Sequence, residues 1–275
     1  MRRVVACLAL LVVASCESAT PVHATQHSSP STAITGEWQE FPAVGSPRPI
    51  VFFYSTTADI ARPEAWPPFE CGKFVGAASL PAGSPGMAYA TWSDQDEGFQ
   101  AISAADAIAA MSRLAPKAGS ADCASVTATT VISAQFGYST FETDRGDAWM
   151  SAWLFQIAGS RTIVGFPALP VSAFWEGGLT PKSPNATAFI DASGRQLTVA
   201  LCGGSHAASV AESSTVVQVS LIGKGQASAG CSDVPYSSTF SSPTTVTLDR
   251  PLGGRVVVDS NGLAMEVCST IKGCG

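Results

Sequence analysis

A chain of 275 residues with 46% hydrophobic and only 13% charged residues can bury a large core, which excludes global disorder. The formal charge is −6 at pH 7, and without Arg2 and Arg3 there are 13 basic against 21 acidic residues, a net −8. That balance excludes nucleic acid as a partner and electrostatic docking on anionic lipid.

Arg2 and Arg3 form a basic start. Val4 to Val13 follows as an apolar run of signal-peptide length, too short to span a bilayer. It ends in Val13-Ala14-Ser15-Cys16, which resembles a bacterial lipobox. The resemblance implies cleavage before Cys16, a diacylglycerol on its sulfur, and a mature protein held outside the cytoplasm on the cell membrane. The alternative is ordinary secretion with a cut after Ala24, which needs a long preceding segment containing Pro21. Residues 1–15 are therefore expected as a lipoprotein signal peptide and residues 16–36 as a disordered tether. The tether is rich in Ser, Thr, Ala and Pro and has no periodicity. A coil of this length reaches on the order of 25 Å. Its His23 and His27 make a poor chelate, because both are expected to be mobile.

Six cysteines remain after Cys7 and Cys16: Cys71, Cys123, Cys202, Cys231, Cys268 and Cys274. An even number outside the cytoplasm without C-x-x-C reads as three disulfides rather than zinc or redox chemistry. Six cysteines allow 15 connectivities. Sequential pairing is the expectation, since it keeps each bridge within one part of the chain.

The first folded region is expected over residues 37–175. Ile50 to Ser55 reads as a short buried strand, and Met87 to Trp92 as another. Arg62 to Phe69 is a stiff Pro-rich loop carrying Trp66 and Phe69. It either offers a stacking platform to a ligand or folds over the core beside Cys71, and the core is the expectation. Asp94 to Gly98 collects three carboxylates without the EF-hand ligand series, so a solvated turn is expected. Ser103 to Ala115 is the one short α-helix. Ser103 caps it, Ile108, Met111 and Leu114 form its apolar stripe, and Pro116 stops it.

Val126 to Phe136 reads as a long strand, followed by a polar link with Glu142, Asp144 and Asp147. Arg145-Gly146-Asp147 reads as a turn. From Trp149 the residues Ser151, Trp153, Phe155 and Ile157 alternate with Met150, Ala152 and Leu154. Both sets are largely apolar, the pattern of a central strand covered on both faces. Core packing of these tryptophans is the expectation, and an aromatic ligand-binding face is the alternative. Thr162 to Phe166 would complete a hairpin, and Pro167 places it at an edge.

Glu176 to Asn185, with two Gly and two Pro, reads as the best internal boundary. Residues 186–275 are expected as an antiparallel region packed on the first. Its strands are Leu197 to Leu201, Thr215 to Ile222, Thr244 to Leu248, Arg255 to Asp259 and Leu263 to Val267. Asn261-Gly262 is a strong hairpin signal.

Several short pieces recur in a known group. Thr143-Asp144-Arg145-Gly146, Ala152-Trp153-Leu154-Phe155, Ala211-Glu212-Ser213 and Pro251-Leu252-Gly253, with Arg255 and Asp259, resemble uncharacterised secreted or lipidated actinobacterial proteins. The similarity spans about Ala101 to Met265. It implies the compartment and no activity.

Catalytic signatures are sparse. His206 is the only histidine beyond the tether, in a Gly-rich stretch beside Cys202. Ala82-Gly83-Ser84-Pro85-Gly86 misses the nucleophile elbow, and Ser269-Thr270-Ile271-Lys272 lacks the helix that S-x-x-K chemistry needs. No P-loop, dinucleotide fingerprint or H-E-x-x-H is present, so no cofactor or metal is expected. A carboxylate pair drawn from Glu142, Asp144 and Asp147 would be the basis for a hydrolase. The reading is a mainly β, sandwich-like, disulfide-stapled protein of packed antiparallel sheets with one helix. It is expected to be a lipid-anchored, non-catalytic module for an envelope protein or a small ligand, with Trp66, Phe69, Glu142 and Asp144 as candidate contacts.

Overall fold

The structure, a computed structural model, describes residues 36–53, 66–92, 95–115, 118–160, 163–180, 182–201, 205–224 and 243–269. Cys16, Cys202, Cys231, Cys274, the expected signal segment and nearly all of the expected tether lie outside them, as do the side chains of Trp66 and His206. The fold is mainly β, with 49% strand and 14% helix. None of the described helices is long and apolar enough to cross a membrane.

The first sheet begins with β1 (Ile50–Phe53), β2 (Phe74–Gly76), β3 (Met87–Thr91) and β4 (Asp96–Gln100). It continues with β5 (Thr129–Thr143), β6 (Gly146–Ile157), β7 (Ile163–Pro167) and β8 (Phe174–Thr180). Its order is β4-β3-β6-β5-β1-β8, with β7 on β6 and β2 on β5. The second sheet holds β9 (Lys182–Ile190), β10 (Gln196–Leu201), β11 (Ser205–Glu212) and β12 (Val216–Lys224), then β13 (Thr244–Thr247), β14 (Val256–Val258) and β15 (Ala264–Ser269). Its order is β11-β12-β14-β15-β9-β10-β13.

Both sheets are mixed, which corrects the expectation of antiparallel sheets. β1 runs parallel to β8, β2 to β5, β12 to β14, and β15 to β9. Short hairpin spacings reveal only local antiparallel pairs, whereas parallel neighbours need long connections that leave no local signal. The stretch 176–185, read as an internal boundary, lies in β8 and β9 apart from Pro181. The chain passes there from one sheet to the other, and pairing with β1 and β15 outweighs the Gly and Pro content.

The long hairpin of β5 and β6 is the spine. Twelve residue pairs join the strands from Val131↔Ile157 to Thr143↔Gly146. β5 runs past Phe136, where it was expected to end. Gly137 within it leaves room for Leu154, whose Cδ1 a Cβ would approach to 3.1 Å. Odd-numbered residues of β6 share one face. Over its second half that face carries Trp153, Phe155 and Ile157, packed beneath α2 (Ala104–Leu114). The helix begins as expected: Ser103 Oγ accepts from Asp106 N at 3.1 Å and donates to Asp106 Oδ2 at 2.7 Å. Its buried Ala104, Ala107, Ile108 and Met111 form the stripe. The opposite face of β6 buries Ala148, Met150 and Ala152 against Ile50, Phe52 and Phe141.

Among the described residues there are two α-helices rather than one. The Pro-rich loop ends in α1 (Trp66–Glu70), because Pro67 and Pro68 occupy a first turn that needs no donors. Phe69 is 4% exposed and meets Phe74 edge-on at 5.2 Å. Cys71 follows and is bridged to Cys123. Cys268 is disulfide-bonded too, to a cysteine outside the described residues.

The second sheet packs on the first at β1. Val51 and Phe53 bury against Val216, Val256, Val258 and Ala264, with Trp38 and Phe41 filling the edge. Trp38 Nε1 donates to Gly262 O at 2.9 Å, in the expected Asn261-Gly262 turn. That turn is organised by Asp259, whose Oδ1 accepts from Asn261 N at 2.8 Å and Leu263 N at 2.9 Å.

Candidate functional site

One face of the first sheet is thus covered twice, by α2 over the far half of β6 and by the second sheet at β1. Between the two covers it lies open. Thr91 pairs with Trp149, and Thr140 lies opposite Trp149 on the other side. Tyr89 and Met87 follow Thr91 at steps of two, and Tyr138 precedes Thr140, so all point to this face. Trp149 is 52% exposed, Tyr138 47%, Tyr89 43% and Met87 49%. The Tyr138 and Trp149 rings are near parallel, 5° apart, with centroids at 6.0 Å. Trp149 therefore departs from the expected core packing, while Trp153 on the same strand follows it at 3% exposure.

Where this floor meets the second sheet there is a cleft of 540 Å³. Thr91, Thr140, Asp147 and Trp149 line it from the first sheet; Ile190, Leu252, Arg255 and Val267 line it from the second. Two of the quoted sequence pieces meet here, Asp144-Arg145-Gly146 and Leu252-Gly253 with Arg255.

The turn at Asp144 is built by its neighbours. Thr143 Oγ1 donates to Gly146 O at 2.6 Å and accepts from Arg145 N and from Trp92 Nε1, each at 3.1 Å. Gly146 has φ +86°, which a side chain would resist. This is the turn expected over Arg145-Gly146-Asp147, and it projects three functional groups in different directions. Asp144 turns inward, 3% exposed, and forms an ion pair with Arg48 through Nη2. Its Oδ1 also accepts from Val51 N at 3.2 Å. Arg48 Nε donates to Gly254 O at 2.6 Å, so the pair clamps the two sheets. Arg145 stacks over Trp92 at 3.6 Å and donates from Nη1 to Glu97 Oε1 at 2.9 Å. Its Nε and Nη2 are buried without a hydrogen-bond partner, beneath the surface that an entering ligand would touch. Glu97 is 6% exposed, which corrects the solvated turn expected over Asp94 to Gly98: from Asp96 on, this acidic stretch is strand. Arg255 is held by Glu212 at 2.6 Å and by the carbonyls of Arg250, Pro251 and Leu252.

Beside the cleft lies a second polar cluster. Lys182 Nζ donates to Glu266 Oε2 at 2.7 Å and to Glu142 Oε2 at 3.1 Å. Burial raises the Glu266 carboxyl, and the Lys182 contacts recover only part of that shift. Burial alone would lower Lys182; the hydrogen bonds and charges of Glu266 and Glu142 outweigh it and hold the ammonium above its usual value. Asp147, opposite Glu142 in the hairpin, is raised by burial and then by the charge of Glu142. Among the described residues no hydrogen bond reaches the Asp147 carboxylate or the hydroxyls of Thr91 and Thr140. No group of His, Cys, Asp and Glu among the described residues has a geometry for a metal ion.

Of the candidate contacts, Asp144 lines the cleft but is committed to Arg48. Glu142 is committed to Lys182. Phe69 is in the core, and the side chain of Trp66 lies outside the described residues. The sequence reading missed Arg48, Lys182 and Glu266. Arg48 sits among prolines with no periodic pattern, and Lys182 lies in the presumed internal boundary, so neither carries a local signal. Glu266 was legible as a charge within an apolar strand, which implies a buried partner. Compared with protein-family models, curated proteins and solved structures, the chain matches none.

Proposed function

We propose that this chain is a lipid-anchored cell-envelope protein, held by a diacylglycerol on Cys16, whose folded part is a non-catalytic module binding a small ligand between its two sheets. The observation that carries the binding role is the 540 Å³ cleft with the exposed Trp149 on its floor and paired charges on its walls. Concave sites with a few fixed polar groups and apolar floors are where small ligands seat. The basic start, the short apolar run and the lipobox-like tetrapeptide support the anchor.

The test uses the full-length chain and a panel of amino acids, dipeptides, mono- and disaccharides and nucleotides. A ligand of the cleft raises Tm with concentration, because it binds only the folded state. Thr140→Trp fills the floor and abolishes the shift. A panel without effect, or a shift unchanged in Thr140→Trp, overturns the seat. Intact mass of protein extracted from its native membrane tests the anchor: a mature form without lipid on Cys16 overturns it.

One observation favours a hydrolase as the second reading. Asp147 lines the cleft with a raised carboxyl pKa, the state a general acid needs. A glycoside hydrolase needs a second carboxylate in the same cleft, and Asp144 is taken by Arg48. Turnover lost in Asp147→Asn would establish the second reading over the first.

A further inference from the structure

We infer that the cleft and the open floor beside it take a neutral saccharide, a step that rests on the binding role proposed above. The charges of the site carry the argument. Each arginine in the cleft wall is already matched by an acid: Arg48 by Asp144, Arg145 by Glu97 and Arg255 by Glu212. An anionic ligand therefore meets no surplus positive charge in this wall, and to pair with these arginines it would have to displace a carboxylate, a costly step, or uncover the buried Nε and Nη2 of Arg145. A cationic ligand finds one acid outside a direct ion pair, Asp147, which is partly buried and already feels the charge of Lys182. Neutral ligands meet no such penalty.

The floor narrows the class further. Tyr89, Tyr138 and Trp149 lie side by side on one sheet face, about half exposed, and continue outward from the cleft. Tyr and Trp present an apolar body with a polar edge, suited to ligands that are apolar on one side and polar around the rim. A pyranose ring has that character, with C–H groups on its faces and hydroxyls at its edge. Thr91, Thr140 and Asp147 stand around Trp149 with uncommitted oxygens, placed to exchange hydrogen bonds with such hydroxyls. By register Tyr89 and Tyr138 flank Ser151 and Trp149 stands two residues along β6 from it, so the three rings form a patch broader than a single residue, which suits a short oligosaccharide. A peptide would instead seek a sheet edge, and these residues lie in the middle of a sheet.

The test is titration calorimetry of the full-length chain with maltotriose, cellotriose and chitotriose, with trigalacturonate as the charged comparison. One neutral trisaccharide is expected to bind saturably, quench tryptophan fluorescence, and bind equally at low and high salt, since no charge pairing is formed. Trp149→Ala should weaken it about tenfold or more, the scale of losing one stacked ring. Trp149→Phe should recover most of the loss. Ile163→Ala, exposed on the opposite face, should leave binding unchanged. Binding that persists undiminished in Trp149→Ala overturns the inference, as does salt-sensitive binding confined to trigalacturonate. If all four sugars fail while another member of the small-molecule panel shifts Tm and is blocked by Thr140→Trp, the saccharide falls and the binding role stands. If nothing binds, both fall.

Discussion

Replacing Arg48 by methionine removes the clamp between the sheets while keeping an aliphatic stem near Phe41, over which the guanidinium lies at 4.7 Å. Asp144 is then a carboxylate at 3% exposure whose remaining hydrogen bond comes from Val51 N at 3.2 Å. Taking one partner from a buried ion pair costs about 3–5 kcal/mol. Gly254 O also loses its 2.6 Å donor, and a half-buried carbonyl left unpaired adds up to about 1 kcal/mol. About 4–5 kcal/mol is therefore expected for Arg48→Met, a large part of the stability of a typical domain. The double variant Arg48→Met with Asp144→Leu leaves no buried charge, only an unpaired Val51 N–H and Gly254 carbonyl, and should recover about 2 kcal/mol or more. Arg48→Lys should rescue little, because an ammonium cannot supply the Nε and Nη2 donors in their two directions. The assay is urea unfolding followed by tryptophan fluorescence, with the midpoint falling at constant slope. The reasoning is refuted if Arg48→Met costs under about 1 kcal/mol, the worth of an exposed pair. It is equally refuted if the double variant is no more stable than the single one.

Lys182→Met leaves Glu266, 2% exposed, without its closest cation and should cost about 3–5 kcal/mol near neutral pH. The native chain should itself become more stable as pH falls from neutral towards the ordinary carboxyl values of 3.8 and 4.5, because the folded state binds the protons of Asp147 and Glu266 more tightly. That gain should be larger in Lys182→Met, and urea midpoints across pH will show it. The Lys182 contribution has the opposite window: it is present below 10.5 and is lost as pH rises beyond it, since the folded pKa is raised. Gly254→Ala would drive a Cβ to 1.9 Å from Ala43 O, so the loop must move; a cost of about 3 kcal/mol or more, read from Tm, is expected. Replacing Cys71 and Cys123 together by serine opens a loop of sequence separation 52 and should cost about 4 kcal/mol in the chain-entropy account.

What the sequence made legible follows the range of each signal. The α2 helix, the turn at Asn261-Gly262, the β6 alternation and the hairpin to β7 are local patterns, and each is found where the residues place it. The parallel pairs of β1 with β8 and of β9 with β15 join segments far apart in the chain, and no local period encodes them. The fate of Trp149 was hidden for the same reason. Alternation shows that Trp149 and Trp153 share a face, but not that α2 stops short of one of them. Phe69, by contrast, behaves as its position beside a cysteine suggested, buried next to the Cys71–Cys123 bridge.

The candidate site is harder to read because its charges act across the seam rather than along the chain. Arg48, paired with Asp144 in its own sheet, crosses to Gly254 O, Lys182, paired with Glu266 in its own sheet, crosses to Glu142, and Asp144 O accepts from Val267 N at 3.1 Å. Buried ion pairs add little net stability compared with apolar side chains of the same shape, so stability alone does not account for a seam built from them. Their geometry adds what the apolar contacts at β1 lack: directional bonds that fix how one sheet lies over the other. Tyr89, Tyr138 and Trp149 are about half exposed beside the place where Arg48, Asp144 and Lys182 join the sheets. On this argument the clamp and the floor are one device. Loosening the clamp should therefore weaken ligand binding before it unfolds the chain, which Arg48→Lys at temperatures well below its Tm would reveal as lost affinity together with a tryptophan emission shifted in the unliganded but still folded state, as the exposure of Trp149 changes.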